Sequence, residues 1–206
     1  MITNALYTVD SKEFTLSVVP LVTNVSQEHI AILNTLEIEQ LQTIESSSKK
    51  AEFVTSRNVL HSILGPQYEP IQYAETGKPY MNSMNISISH TKQFVAAIVS
   101  KQYNVAVDIE MYRSKIHIIA PRFMNTKEYS FYVSTEDRTV IWCAKEVLFK
   151  LYNASPNFKE HYSINICDLH DSGTLTATLQ TPAIEKIIEL SYFRTLQFCL
   201  VWAYNS

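Results

Sequence analysis

The alternation of apolar and polar residues predicts a chain that mixes strands with helices. Strands are predicted where apolar and polar residues alternate, and helices where apolar residues recur every three or four positions. The predicted strands are 5–9, 14–19, 71–74, 85–89, 93–99, 104–110, 163–167, 174–180, 186–192 and 196–203. The predicted helices are 27–44, a segment from Ser47 or Ser48 to Gly65-Pro66, 114–123, 126–132 and 136–153. Because several strands follow each other after short turns, the pattern favours a mostly antiparallel α+β fold over a doubly wound one.

The chain divides in two ways, by element order and by charge. A seam near residues 100–104 separates two parts of about equal length, which we expect to be domains at 1–102 and 103–206. Residues 49–150 hold 13 Lys and Arg and 9 Asp and Glu, a net charge of +4, whereas the remainder has a net charge of -7. A basic middle segment suggests an anionic ligand or partner. The overall pI of about 6.1 argues against a nucleic acid, so we expect a small polyanion or an acidic protein.

Glycine is scarce, which limits how the protein can bind phosphate. The 206 residues include only Gly65, Gly77 and Gly173, against a usual share of about 7%. Neither a dinucleotide fingerprint nor a P-loop can be formed. Any phosphate must therefore be held mainly by cations, a metal ion or helix ends.

The cysteines and the N-terminus point to one compartment. Cys143, Cys167 and Cys199 are widely spaced and odd in number, so we expect buried free thiols rather than disulfides or a zinc site. No signal-peptide pattern follows Met1, and no stretch approaches the roughly 20 apolar residues of a membrane span. These features predict a cytoplasmic protein that does not bind membranes.

The first candidate for chemistry is a pair of carboxylates on a predicted strand. In Val105-Ala-Val-Asp-Ile-Glu110, Asp108 and Glu110 project to the same side because side chains two apart share a face of a strand. Two such carboxylates suit Mg²⁺, which prefers oxygen ligands. A solvated strand end without a ligand is the alternative.

The second candidate lies on the helix at 136–153, which Ser134 or Thr135 can cap. Glu146 and Lys150 are one turn apart and lie side by side. They form either an ordinary surface ion pair or a third metal carboxylate beside a phosphate-binding lysine.

Two loops complete the set of candidates. In Glu75-Thr-Gly-Lys-Pro-Tyr80 a turn at Thr76-Gly77 presents Lys78. In Asn85-Ile-Ser-Ile-Ser-His-Thr91 the isoleucines face inward, the serines face the other way, and His90 ends the strand. A plain hairpin connection and an ordinary polar histidine are the alternatives.

Together, in this order, these segments resemble the 4′-phosphopantetheinyl transferase superfamily, and in particular its larger, pseudo-dimeric type. The carrying segments are T-G-K-P-Y, S-I-S-H-T, V-A-V-D-I-E and W-C-A-K-E-V-L-F-K, with R-F-M-N-T-K-E at 122–128 similar to the family's R-F-x-x-x-x-E connection. The resemblance covers about residues 45–155, and Ala106 stands where the family usually has glycine. It implies two similar α/β halves related by a pseudo-twofold, with the active site in the cleft between them, so a monomer would suffice.

The resemblance also implies a reaction and its catalytic residues. Such enzymes transfer the 4′-phosphopantetheine group of coenzyme A to a serine of an apo acyl or peptidyl carrier protein, and 3′,5′-ADP leaves. By this resemblance Asp108, Glu110 and Glu146 hold Mg²⁺. Glu146 is the candidate base, directly or through water, and Lys150 neutralises the pyrophosphate. Trp142 is interpreted as a packing residue.

For coenzyme A, the resemblance implies that Lys78, Ser89 and His90 bind the adenosine 3′-phosphate end, with Pro79 near the base. The helix before Gly65 supplies further basic candidates, which are Lys49, Lys50 and Arg57. An acidic carrier protein would meet a basic rim that includes Arg113, Lys115 and Arg122. Two other hypotheses are a catalytically inactive coenzyme A-binding module and a Mg²⁺-dependent phosphohydrolase.

Overall fold

The protein forms two compact units, which a computed structural model describes over residues 5–65, 68–75, 77–153, 157–183 and 185–205. One unit ends at Val105, and the other spans Ala106–Asn205. This boundary lies close to the predicted domain boundary after residue 102. Pro66, the predicted helix terminator, lies outside the described residues.

The first unit combines an antiparallel sheet with a long helix. Its elements are β1 (Tyr7–Asp10), β2 (Thr15–Pro20), α1 (Gln27–Ile30), α2 (Thr35–Thr43), α3 (Ser47–Leu64), β3 (Gln72–Tyr73), β4 (Pro79–Tyr80), β5 (Asn85–His90) and β6 (Phe94–Ser100). The sheet has the order β1-β2-β6-β5, and β3 pairs with β4 in a separate ribbon. Helix α3 packs on β2 and β6, where Val19, Val59, Leu60 and Val95 lie in one buried cluster.

Helix α3 has the predicted end but a different cap. Ser46, not Ser47 or Ser48, caps it by accepting from the backbone N–H of Lys49, because Ser47 already belongs to the helix. Gly65 ends it at a φ of 83°, a left-handed value that glycine adopts without a side-chain clash.

The prediction of one helix over 27–44 is wrong, because the segment contains two helices. Ser26 caps α1 and Asn34 caps α2. At α2 the Asn34 side chain accepts from the Glu37 N–H, and the Glu37 carboxylate accepts from the Asn34 N–H. This reciprocal capping box starts a new helix in the middle of the apolar pattern.

The second unit is a larger sheet with the other long helix against it. Its elements are β7 (Asn104–Met111, whose first two residues belong to the first unit), α4 (Ile116–Phe123), α5 (Thr126–Phe131), α6 (Thr135–Tyr152), α7 (Phe158–His161), β8 (Tyr162–Ile164), β9 (Ser172–Gln180), β10 (Glu185–Arg194) and β11 (Phe198–Asn205). The strand order is β7-β11-β10-β9-β8, and the pairs β8–β9, β9–β10 and β10–β11 are antiparallel.

Helix α6 forms because its cap and its apolar face agree. Ser134 accepts from the Asp137 N–H, as one of the two predicted caps, and Asn153 ends the helix in the left-handed conformation. The buried face includes Val147 and Leu148 and packs on β11. This packing fixes which residues of α6 remain near the surface beside β7.

The mixed α+β class with antiparallel sheets and packed helices is confirmed. Strand β4 and helix α7 were not predicted, because two and four residues are too short to show a period. The relation of the halves by a pseudo-twofold and a site in a cleft between them stay predictions. Within the described ranges, no helix combines the length and the apolar character that crossing a membrane requires.

The three cysteines are free thiols. Cys143 on α6 and Cys199 on β11 are fully buried, with their sulfur atoms 3.5 Å apart, while Cys167 is half-buried. The expectation of free thiols is therefore confirmed, and complete burial is confirmed for two of the three.

Candidate active site

Strand β7 presents the two predicted carboxylates at its C-terminal end. Asp108 is 5% exposed and Glu110 is half-buried, while Ile109 between them is buried. Burial raises the pKa of Glu110, and the charge of Asp108 raises it further, so the two carboxylates lie close to each other. The charge of Asp108 thus affects the protonation of Glu110.

Helix α6 supplies a lysine that joins this pair. The Lys150 ammonium donates to Asp108 Oδ1 at 2.7 Å and to the backbone oxygen of Val107 at 2.9 Å. The ion pair therefore links α6 to β7. The sequence had also allowed an ordinary surface pair between Lys150 and Glu146 within α6. The Lys150 side chain is 26% exposed, so it lies at the edge of the core and not inside it.

Glu146 is the carboxylate with the most altered proton affinity. Burial, and next to it the charge of Asp108, raise the pKa of Glu146 to about 7, against a smaller downward effect of Lys150. Glu110 also contributes to the upward shift. A carboxyl group that titrates near neutral pH beside other acids is typical of functional sites.

Whether these residues fit a metal ion depends on donor chemistry and on charge. Across the described ranges, no group of three or more His, Cys, Asp and Glu side chains is arranged so that it could hold a metal ion. The charge of Asp108 nevertheless raises the pKa of both Glu110 and Glu146, and the charge of Glu110 also raises that of Glu146; a divalent cation would relieve this repulsion. The donors are all carboxylate oxygens, which is the type of ligand that a hard cation such as Mg²⁺ prefers.

Lys145, next to Glu146 in the sequence, lies in the core of the second unit. Its ammonium is fully buried and donates to Glu128 Oε2 at 2.7 Å, to the Phe123 oxygen at 2.7 Å and to the Phe158 oxygen at 3.2 Å. Burial lowers the pKa of Lys145, and the adjacent Glu128 partly offsets that effect. Sequence reasoning missed this pair. The Asn125-x-x-Glu128 capping box, which the structure shows at the start of α5, was the available signal.

In the first unit, the T-G-K-P-Y segment forms part of a small cavity. Lys78 and Pro79 line a cavity of about 270 Å³ together with Tyr80, Met81 and other residues of this unit. Gly77 has a φ of 80°, and its N–H donates to the Ala74 oxygen in the turn that precedes Lys78. Thr76 lies outside the described residues.

Strand β5 places Ser89 and His90 in different environments. Ser89 is buried, whereas half of the His90 side chain is exposed and its Nε2 lies 3.2 Å from Glu52 Oε2 on α3. The predicted inward side chains Ile86 and Ile88 do pack on the core of the unit, with Ile88 half-buried.

The basic candidates on α3 differ in exposure. Lys49 is exposed and Lys50 is half-buried. Arg57 is only 1% exposed, with Nε 3.4 Å from Glu37 Oε1 and Nη2 donating to the Tyr73 hydroxyl at 3.0 Å. Its guanidinium is thus engaged inside the unit, and a role in binding coenzyme A stays a prediction.

Comparison with models of known protein families identifies the family of most of the second unit. Residues 104–201 match the family model described as the 4′-phosphopantetheinyl transferase superfamily. This segment belongs to that superfamily. No curated protein gives a significant match to the chain.

The phosphopantetheinyl transferase segment contains Asp108, Glu110, Glu146 and Lys150. The matched segment also includes strands β8 to β10 and the first half of β11. In this part of the chain the sequence resemblance was limited to length and strand content. Membership implies phosphopantetheine transfer with coenzyme A as substrate. The coenzyme A residues predicted in the first unit lie outside the matched segment, so their roles stay predictions.

Proposed function

We propose that the protein transfers the 4′-phosphopantetheine group of coenzyme A to a serine of an apo acyl or peptidyl carrier protein. One observation carries the proposal. The charge of Asp108 raises the pKa of Glu110 and of Glu146, and Lys150 is bonded to Asp108, inside a segment of the transferase superfamily. Acids and a lysine in this arrangement suit transfer of a phosphoryl-type group, in which positioning and charge neutralisation supply most of the catalysis.

In the proposed reaction the serine oxygen attacks the β-phosphorus of coenzyme A. The bond from that phosphorus to the bridging oxygen breaks, and the oxygen leaves with 3′,5′-ADP. Glu146 takes the serine proton, directly or through water. In the metal-free protein its pKa is about 7, near the operating pH that suits a general base.

Charge on the pyrophosphate is neutralised from two sides. Lys150 provides an ammonium beside the acids, and its half-exposed position suits contact with a phosphate oxygen. Asp108, Glu110 and Glu146 would hold Mg²⁺, which when bound offsets negative charge on the phosphoryl oxygens.

The first unit is proposed to bind the adenosine end. The cavity next to Lys78 and Pro79 suits the base, and Lys78 and His90 suit the 3′-phosphate. Ser89, Lys50 and Arg57 complete the proposed set for this end. Of these, Ser89 and Arg57 are buried in the structure.

The carrier protein is proposed to dock beside the acids. Arg113, Lys115 and Arg122 are exposed, and the first two line a cavity of about 260 Å³ that also includes Glu110. Carrier proteins are typically acidic, so this rim would attract them and speed their encounter.

The proposal is tested by incubation with coenzyme A, Mg²⁺ and a panel of apo carrier proteins. Mass spectrometry should show a carrier that gains one phosphopantetheine, and a carrier with the serine replaced by alanine should gain none. Glu146→Gln should lower turnover at least about 100-fold, because general-base catalysis typically contributes that much. Lys12→Ala, on an exposed lysine outside the proposed site, should have no effect.

The other hypotheses give different results in the same assay. Binding of coenzyme A without transfer to any carrier would identify an inactive binding module. Release of 3′,5′-ADP in the absence of a carrier would identify a phosphohydrolase. Equal turnover by Glu146→Gln and the unaltered protein would contradict the role of Glu146.

A further inference from the structure

Helix α4 begins without the side-chain cap that each of the other described helices has. Those caps are Ser26, Asn34, Ser46, Asn125, Ser134 and Asn157. At α4 the N-cap residue is Lys115, whose side chain makes no such bond. Pro121, inside the helix, has no N–H to donate to the His117 carbonyl four residues earlier. The first turn of α4 therefore depends on contacts with the rest of the unit more than the other helices do.

His117, in this first turn, makes such a contact through both ring nitrogens. Arg138 Nη1 lies 2.8 Å from His117 Nδ1, and Thr135 Oγ1 lies 2.8 Å from His117 Nε2. A guanidinium has donors and no acceptor, so Nδ1 accepts and the imidazole is neutral with its proton on Nε2. The Nε2–H then donates to the Thr135 hydroxyl. Both partners lie on α6, so the imidazole ties the start of α4 to that helix.

Arg138 is itself fixed by α5 and by the residue that follows α5. Its Nε donates to the Tyr132 oxygen at 2.8 Å, and its Cζ lies 4.5 Å from the centroid of the Tyr129 ring. The residue is only 7% exposed. Arg138 is therefore a donor held in one place, and not a mobile surface cation.

The backbone of His117 is bonded to the turn that carries two cations of the basic rim. The His117 N–H donates to the Ser114 oxygen at 3.1 Å. The N–H groups on either side of it donate to the oxygens of Arg113 and Lys115, each at 3.0 Å. Both cations line the 260 Å³ cavity that also includes Glu110. A displacement of His117 would therefore move the turn that presents them.

We propose that His117 is a positioning residue, which ties α4 to Arg138 and thereby holds the turn with Arg113 and Lys115 where an acidic partner docks. The inference rests on the proposed function for the identity of that partner, a carrier protein, but it concerns docking and not transfer. Cations in a fixed turn are ready to meet the carboxylates of a partner, whereas cations on a mobile turn must first lose their freedom on binding.

Hydrogen exchange tests whether His117 holds the turn. His117→Leu removes both side-chain bonds, and leucine has the higher helix propensity, so a looser α4 in this variant would come from the lost bonds. Exchange of the amide protons of residues 116–118, followed by NMR on the full chain, should become about tenfold faster or more, as for loss of a hydrogen bond to a charged group.

Two further variants serve as controls for this measurement. His170→Leu makes the same change at an exposed histidine between β8 and β9, and it should leave exchange at 116–118 unaltered. His117→Asn should restore most of the protection, because the asparagine side-chain oxygen can accept from Arg138 in place of Nδ1.

Docking is measured with an apo carrier protein whose acceptor serine is replaced by alanine, so that no transfer follows. In titration calorimetry, His117→Leu should raise the dissociation constant of this carrier about threefold or more, since side chains that must be immobilised on binding reduce affinity. The dissociation constant of coenzyme A should not change. A loss confined to the carrier separates positioning of the rim from general damage to the fold.

Two measurements cover the case in which His117→Leu does not fold. In the unaltered protein, ¹⁵N NMR of the ring nitrogens distinguishes the tautomers, and His117 should carry its proton on Nε2 at pH 8. Thr135→Val keeps the shape of the side chain and removes the hydroxyl that Nε2 contacts. It should increase both the exchange rate and the carrier dissociation constant, but by less than the loss of both bonds.

Four results would overturn the inference. They are a proton on Nδ1, unaltered exchange at 116–118 in the folded variants, an equal increase of exchange in His170→Leu, and faster exchange without a loss of carrier affinity. Absence of binding to every carrier tested would overturn it as well. Carrier binding that depends on His117 but leads to no transfer with the serine present would refute the proposed function and support this inference. Transfer with a carrier affinity that does not depend on His117 would do the reverse.

Discussion

Each unit contains a capping-box glutamate that pairs with a buried cation, but the polar atoms of this pair are less completely hydrogen-bonded in the first unit than in the second. In each unit an asparagine and a glutamate form a capping box at the start of a short helix, Asn34 with Glu37 on α2 and Asn125 with Glu128 on α5. In each, the glutamate then pairs with a buried cation on the following 18-residue helix. The cation is Arg57 on α3 in the first unit and Lys145 on α6 in the second.

The pair of Glu128 and Lys145 has its polar atoms well matched. Lys145 has three acceptors, all given above, and Glu128 accepts from the backbone N–H groups of Asn125 at 2.8 Å and Ile164 at 2.7 Å. These bonds connect α5, α6 and β8 at a single point. Complete hydrogen bonding is the condition under which a buried ion pair offsets its desolvation cost.

The cluster around Glu37 is less completely bonded. Tyr68 donates to Glu37 Oε1 at 2.7 Å, but Arg57 Nε lies 3.4 Å from that oxygen and His61 Nε2 lies 3.6 Å from Glu37 Oε2. Within the described ranges, Arg57 Nε and both ring nitrogens of His61 are buried without a hydrogen-bond partner. The difference shows that the buried pair on the helix bearing Glu146 and Lys150 is more completely hydrogen-bonded than the pair on α3.

The largest expected effect is on the complete pair. Lys145→Met should lower the free energy of unfolding by about 3–5 kcal/mol, because it leaves the Glu128 charge buried and unpaired. Urea denaturation measures this. The matched control is the double variant Lys145→Met with Glu128→Gln, which removes both charges and keeps a side-chain oxygen that can accept a backbone N–H, and which should recover part of the loss. If the single variant cost no more than a surface substitution, the pair would not stabilise α6.

The outcome of sequence reasoning differed between these two helices for a physical reason. The start and end of α6 and the end of α3 follow from caps and from apolar period, both of which are local. The partners of Lys145 and Arg57 come from distant segments of the chain. In the sequence, a lysine or arginine among apolar positions shows no difference between a side chain that faces water and one that faces the core. The sequence therefore predicted Asp108, Glu110, Glu146 and Lys150 as candidates, but it did not show that Lys145 and Arg57 are buried.

Burial of the Glu146 carboxylate on α6 lowers the stability of the metal-free protein at high pH. Since folding raises the pKa of Glu146 to about 7 from an ordinary value near 4.5, the folded state binds this proton more tightly than the unfolded chain. The carboxylate should therefore destabilise the metal-free fold increasingly as pH rises through that interval, and by a constant amount above it. Glu146→Gln should raise the melting temperature at pH 8 by roughly 2–4 °C, allowing for screening at a half-buried site, and should leave it unchanged at pH 4.

Thermal unfolding in EDTA at both pH values tests this. Glu136→Gln is the matched control on the same helix, since Glu136 lies in the first turn, away from the acids. A stabilisation of Glu146→Gln that is as large at pH 4 as at pH 8 would show that burial of the charge is not its cause.

The last comparison is at the incomplete cluster, where two substitutions separate bonded from unbonded atoms. Tyr68→Phe removes the 2.7 Å bond to Glu37 and should cost about 1.5–3 kcal/mol, as for a hydrogen bond to a charged group. His61→Phe keeps an aromatic edge against Tyr68, whose ring centroid lies 4.7 Å away, and removes ring nitrogens that have no hydrogen-bond partner among the described residues. It should change the free energy of unfolding at pH 8 by less than about 1 kcal/mol. Equal losses in the two variants, measured by urea denaturation, would show that His61 contributes as much as Tyr68 and that the two units are bonded to the same degree.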